Sequence, residues 1–72
     1  MSLVIYGAPW CSSCQSLKSN LESKGVEYQY IDIDKEFELA QEKGIRSLPT
    51  AEINGEMVVG MMAILDKVKE KV

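Results

Sequence analysis

Leu3-Val4-Ile5-Tyr6-Gly7-Ala8-Pro9-Trp10-Cys11-Ser12-Ser13-Cys14 runs an apolar, β-favouring segment into a turn and sets two cysteines three positions apart directly behind it. The four apolar residues Leu3 to Tyr6 predict a strand covered on both faces, as in a parallel sheet between helices. Gly7-Ala8-Pro9 ends that strand. From Cys11 to Lys24 there is no glycine or proline, Cys14, Leu17 and Leu21 keep helical spacing, and Gly25 stands where a left-handed C-terminal cap is expected. A helix of about three to four turns is predicted, opening at the first cysteine. The spacing of three puts both sulfurs on one helix face, one turn apart, where they can meet.

Downstream, Glu27 to Ile31 with Tyr28, Tyr30 and Ile31 reads as a second strand, completing a βαβ unit. Asp34 is expected to cap a short helix with Glu36 and Glu38 in its first turn, Phe37 and Ala40 facing inward, Lys43 in its last turn and Gly44 ending it. Ala51-Glu52-Ile53 and Met57-Val58-Val59 flank Asn54-Gly55, the pair suited to a type I′ turn, so a β-hairpin is predicted. Ile64, Leu65, Val68 and Val72 recur at helical spacing with Lys67, Lys69 and Lys71 toward the C-terminal end. The expected order is βαβαββα, one domain over residues 1–72, without repeat or linker composition.

The chain has 72 residues, two cysteines, no histidine and a formal net charge of −3, from 8 Lys and Arg against 11 Asp and Glu. The absence of histidine removes the commonest metal ligand and the commonest general base at neutral pH, so no metal site is expected and catalysis falls to thiol, carboxylate, amine or backbone groups. No basic stripe supports nucleic-acid binding. Charges interrupt the apolar runs well short of a membrane span, and no cationic start precedes Leu3, so the expectation is a soluble, cytoplasmic chain without membrane contact. Two cysteines so close do not staple a secreted domain, which leaves them available for chemistry.

The first N–H groups of a helix lack intrahelical partners and carry the positive end of its dipole, so an anion at Cys11 is stabilised there. No acid competes for that end, the first carboxylate of the helix being Glu22. Cys11 is therefore expected to be the attacking thiolate and Cys14, deeper in the helix, the resolving thiol. Cys11 attacks a target disulfide, a mixed disulfide forms, and Cys14 releases the reduced substrate by closing an internal disulfide. The plainer readings are a pair of inert core cysteines, or a structural zinc for which two thiolates supply only half a ligand set.

Ala8-Pro9-Trp10-Cys11-Ser12-Ser13-Cys14, the segment Arg46-Ser47-Leu48-Pro49-Thr50, the hairpin and the closing helix, in this order, resemble the thioredoxin superfamily, and within it the compact glutaredoxin and NrdH-redoxin branch. The resemblance covers essentially the whole chain. It implies an α/β thioredoxin-like fold: a four-stranded mixed sheet, the first two strands parallel and the hairpin antiparallel to them, with helices on both faces. It implies a monomeric thiol–disulfide oxidoreductase for protein disulfides, with a place in electron transport and cell redox homeostasis. Electrons are then supplied by glutathione or thioredoxin reductase, no cofactor is tightly bound, and ribonucleotide reductase is a target known among relatives. Pro49 would be a cis-proline beside the dithiol, with the backbone of Leu48 pairing to substrate. Trp10, Ser12, Ser13, Arg46, Gly60 and Met61 would complete the substrate contacts.

The chain also departs from that pattern. Glutaredoxins usually carry a lysine three residues before the first cysteine, where this chain has Ala8. They carry Gly-Gly and an aspartate before the last helix, where it has Val59-Gly60-Met61-Met62-Ala63. Arg46 is the remaining cation for a glutathione carboxylate. The buried acid that thioredoxins place beneath their dithiol is absent from Leu3 to Tyr6. The Ser12-Ser13 dipeptide lacks the proline common between such cysteines, which admits an alternative: a glutathione-dependent [2Fe-2S] cluster held between two subunits. Met57 reads as core filling before an adaptable apolar lip, Met61 and Met62 as either. Trp10 reads as a contact for protein substrates or as a packed lid, and Tyr6 as core.

Overall fold

The computed structural model describes residues 2–71. Leu3–Gly7 form β1, Ser12–Ser23 α1, Gln29–Asp32 β2, Phe37–Lys43 α2, Thr50–Ile53 β3, Glu56–Val59 β4 and Met61–Lys71 α3. The expected order βαβαββα holds. Val72, read as the last apolar position of the closing helix, lies outside the described residues.

The strands form one sheet in the order β2-β1-β3-β4. β1 is central, parallel to β2 and antiparallel to β3, and β3 is antiparallel to β4. A strand with neighbours on both edges and cover on both faces has no use for polar alternation, which explains the unbroken run Leu3 to Tyr6. Ile5 stands opposite Tyr30 on β2 and Ala51 on β3, and Ala51 opposite Val58 on β4, so these residues share a face. There they meet Leu17 and Leu21 of α1 and Ile64 and Val68 of α3, which with Leu3 and Ile53 make the core. Each fully buried aliphatic side chain contributes about 1.5–3 kcal/mol to such a core. On the opposite face Tyr6 donates its hydroxyl to Glu52 at 3.2 Å, and Lys43 at the end of α2 pairs with the same carboxylate at 3.3 Å. Helices thus cover both faces.

Local signals account for the element ends. Asn54 and Gly55 take φ of 51° and 89°, the two positive values of the expected I′ turn. The turn is anchored by the Asn54 N–H to the Ser2 carbonyl and the Ser2 N–H to Asn54 Oδ1, each at 2.9 Å. α1 closes with the Gly25 N–H on the Glu22 carbonyl and the Val26 N–H on the Leu21 carbonyl, a Schellman pair around a glycine at φ 70°.

Three expectations fail around and beyond β2. Asp34 does not cap α2: the helix opens at Phe37 after Glu36, without a side-chain cap bond, and the Asp34 carboxylate instead accepts from the Trp10 indole. Phe37 does not face inward; it is 57% exposed, and Ala40 alone of α2 is buried. Met57 does not fill the core either. It is 39% exposed, because α2 is only seven residues long and leaves the outer part of β4 uncovered.

Candidate active site

The turn from β1 into α1 is held through Ala8, whose carbonyl accepts from the Cys11 N–H and from Gln15 Nε2, both at 3.1 Å. Cys11 then takes an extended conformation (φ −92°, ψ 106°) and occupies the cap position of α1. Its Sγ accepts from the Cys14 N–H at 3.2 Å, as a capping oxygen would, while its carbonyl accepts from the Gln15 N–H at 3.2 Å. This is the arrangement expected of a helix-start nucleophile: the sulfur faces an orphan backbone donor, and no acid stands in the first turn of α1.

The two thiols are in different surroundings. Cys11 is half-buried and Cys14 is fully buried, both free. Burial pushes the Cys14 thiol up to about 11, the hydrogen bond to Cys11 adds to the rise, and the Ala8 backbone N–H pulls the other way. Cys14 is thus held protonated at neutral pH beside a sulfur that accepts hydrogen bonds.

Around Cys11 lies a cavity lined by Trp10, Ile33, Ile45, Arg46 and Leu48. Larger hollows along α3 and at the β2 edge contain no thiol. Trp10 is 68% exposed, and its indole N–H donates to Asp34 at 2.9 Å, so it is a standing surface group rather than a packed lid. The Leu48–Pro49 bond is cis. The buried Pro49 is tied to the start of α3, the Gly60 N–H donating to its carbonyl at 2.9 Å, and the Thr50 hydroxyl closes the same loop onto the Ser47 carbonyl. Gly60, at φ 96°, therefore acts here through Pro49. Ser12 and Ser13 are exposed on the first turn of α1 and Arg46 is exposed at the cavity, whereas Met61 leans on the core and only Met62 is fully presented to solvent.

One neighbour of the dithiol went unread. Tyr30 Oη is buried with no hydrogen-bond partner. It flanks the same space as Cys14: a Cβ added at Gly7 would stand 2.6 Å from Tyr30 Oη and 3.0 Å from Cys14 Sγ. In the sequence Tyr30 carries only the signal of a strand former; Tyr28, two residues before it, lies outside β2, and only the pairing of β1 with β2 sets the Tyr30 ring on the face of Gly7.

The dithiol at a loop-to-helix junction, on a mixed sheet with helices on both faces, defines a thioredoxin-superfamily oxidoreductase site. A glutaredoxin family model matches residues 3–58, and the chain belongs to the glutaredoxin family, whose relatives are thiol–disulfide oxidoreductases. It is 31% identical over 74 residues to a glutaredoxin-like 8.6 kDa protein of Clostridium pasteurianum, covering 93% of this chain and 96% of that protein. To the probable thioredoxin-2 of Caenorhabditis elegans it is 38% identical over 72 residues, 89% of this chain and 50% of the relative, so it spans only half of that protein. The solved NrdH-redoxin of Escherichia coli superposes with a TM-score of 0.74 over 94% of this chain and 93% of its own, at 22% identity, a likeness of fold.

Proposed function

We propose that this chain is a dithiol–disulfide oxidoreductase that reduces protein disulfides through Cys11 as nucleophile and Cys14 as resolver. The observation that carries the reading is the 3.2 Å hydrogen bond from the Cys14 N–H to Cys11 Sγ at the start of α1, with Cys14 fully buried behind it. A sulfur that accepts a backbone donor at a helix start is suited to be the thiolate, and a buried thiol one turn away is suited to wait for the mixed disulfide. Leu48 at the cavity beside Cys11 supports pairing of an extended substrate along its backbone, and the exposed Trp10 supports a protein surface as partner.

The electron source in this reading is thioredoxin reductase before glutathione. Position 8 is a fully buried alanine, the stretch Gly60 to Ala63 carries no acid, and Arg46 alone of the cavity residues offers a cation to a carboxylate. The protein acts as a cytoplasmic monomer, with the disulfide of ribonucleotide reductase the first target to try. The test measures reduction of a protein disulfide with NADPH and thioredoxin reductase against NADPH, glutathione reductase and glutathione. Turnover is expected to be faster in the first; turnover in neither sinks the reading. In the Cys14→Ser chain a mixed disulfide should be trapped on Cys11, and trapping elsewhere reverses the roles. Among the described residues no three His, Cys, Asp or Glu side chains converge as a metal site, so the cluster alternative needs a second subunit and glutathione to complete its ligands. Anaerobic reconstitution giving a coloured, glutathione-dependent dimer would favour it.

A further inference from the structure

We infer that Tyr30 is a positioning and hydrogen-bonding residue for the resolving step, its buried hydroxyl donating to Cys14 Sγ as that sulfur becomes a thiolate. The inference rests on the dithiol reading above. Three observations on the fold place the phenol there. The parallel register sets Tyr30 beside Ile5, and Gly7 lies two residues further along β1 on the same face. Gly7 leaves the space that a side chain would fill, and Tyr30 Oη and Cys14 Sγ face it at 2.6 Å and 3.0 Å from the position of the missing Cβ. Tyr30 Oη has no hydrogen-bond partner although it is buried, a cost that a passing anion at Cys14 would offset.

The surroundings keep the phenol a donor. Lys18 Nζ sits 4.3 Å from the ring centroid and packs against the ring face, so it holds the ring without engaging the hydroxyl. Gln15, on the same helix, donates its side-chain nitrogen to the Ala8 carbonyl at 3.1 Å and approaches the phenol oxygen only as a donor, which leaves the phenol's own O–H free. The charged and titratable neighbours are Cys11 and Cys14 on α1, Lys18 over the ring, and Asp32 and Tyr28 on the Tyr30 side of the sheet. Burial first, then the negative charge that Cys14 gains on ionising, hold the Tyr30 phenol above its usual range, and Gln15 opposes the shift. Tyr30 therefore retains its proton throughout.

In the resolving step Cys14 Sγ attacks Cys11 Sγ of the mixed disulfide, and the Cys11–Cys14 bond forms. The bond between Cys11 and the substrate sulfur breaks, its electron pair leaves on the substrate, and the proton shed by Cys14 ends on that leaving sulfur. Tyr30 neither gains nor loses a proton; it makes the Cys14 thiolate less costly in a site that otherwise offers it little solvation.

The test uses the full chain, reduced, and an aromatic disulfide whose thiolate is coloured. Attack by Cys11 releases one equivalent and closure by Cys14 a second. Tyr30→Phe keeps the ring and its contact with Lys18. It is expected to leave the first phase unchanged and slow the second about three- to tenfold, a lost charged hydrogen bond being partly offset by the higher nucleophilicity of a more basic thiolate. In the Cys11→Ser chain, where Cys14 titrates alone, Tyr30→Phe should raise the midpoint of thiolate absorbance and of alkylation by about one pH unit. An unchanged second phase with an unchanged Cys14 midpoint overturns the inference, as does equal slowing of both phases. Should the wild-type chain never release the second equivalent, the dithiol reading itself fails and takes this inference with it, which tells the two failures apart.

Discussion

Gly7 is buried at the end of β1, with Tyr30 Oη and the Cβ and Sγ of Cys14 all close to the place where its side chain would begin. A methyl group there would stand 2.6 Å from the phenol oxygen, closer than side-chain carbons come, and 3.0 Å from both Cys14 atoms, a tight contact. Neither neighbour yields cheaply, one being the end of a rigid ring and the other fixed to a helix. Gly7→Ala is therefore expected to destabilise the protein by about 1–3 kcal/mol, as overpacking does. Removing the phenol oxygen as well, in Gly7→Ala with Tyr30→Phe, should recover part of that loss, because the shortest of the contacts disappears. Denaturant midpoints of the four chains give the coupling directly, and strictly additive losses would mean that the two positions do not share the space. The same residues mark the limit of what composition and motif could tell. Cys11 and Cys14 were legible because their spacing and the helix that follows are local. Tyr30 was not, because only the pairing of β1 with β2 decides which tyrosine stands beside Gly7, and that register is a property of two strands more than twenty positions apart.

At the scale of elements, those whose signals are self-contained came out as read. α1 has its apolar stripe and its glycine cap, the hairpin has Asn54-Gly55, and β1 has an apolar run that only a central strand can bury. α2 was misread at its start, and the reason is tertiary: Asp34 has the chemistry of a cap, but its carboxylate is engaged by the Trp10 indole, which α1's approach brings to it. A seven-residue helix with one buried residue imposes little of its own, so a single contact from outside can set where it begins. The two readings of Asp34 differ in outcome. A lost helix cap costs typically about 1 kcal/mol, whereas loss of an exposed bond to Trp10 leaves α2 intact. Asp34→Ala is expected to leave helical circular dichroism and thermal stability nearly unchanged while altering the fluorescence of the single tryptophan, whose N–H loses its acceptor. A drop in helicity with unaltered fluorescence would restore the cap.

For the molecule as a whole, a 72-residue chain buries only roughly 60% of the surface that its unfolded form exposes, so one ionisable group in the core is a sizeable part of its stability. Cys14 is such a group. Its native pKa of about 11 lies above the 9.0 of an ordinary thiol, so between these values the native state binds more protons than the unfolded chain. Stability then falls as pH rises, because its slope with pH follows the protons bound by the unfolded state minus those bound by the native state. The contribution is complete below about pH 9 and is lost by about pH 11. The tyrosines act in the same direction but later; burial and the 2.7 Å bond to Glu22 raise Tyr28 from 10.0 to about 12. Oxidation removes the Cys14 proton altogether, and the Cys11–Cys14 disulfide closes too short a loop for chain entropy to add much. Reduced protein should therefore lose stability between about pH 9 and 11 more steeply than oxidised protein, and urea midpoints of both forms across that range measure the difference. Since stability and redox equilibrium share one thermodynamic cycle, that loss also makes the oxidised form increasingly favoured as pH rises through the window. Parallel curves for the two forms would mean that Cys14 titrates as an ordinary thiol, and that its burial does not hold it protonated as the proposed resolving role requires.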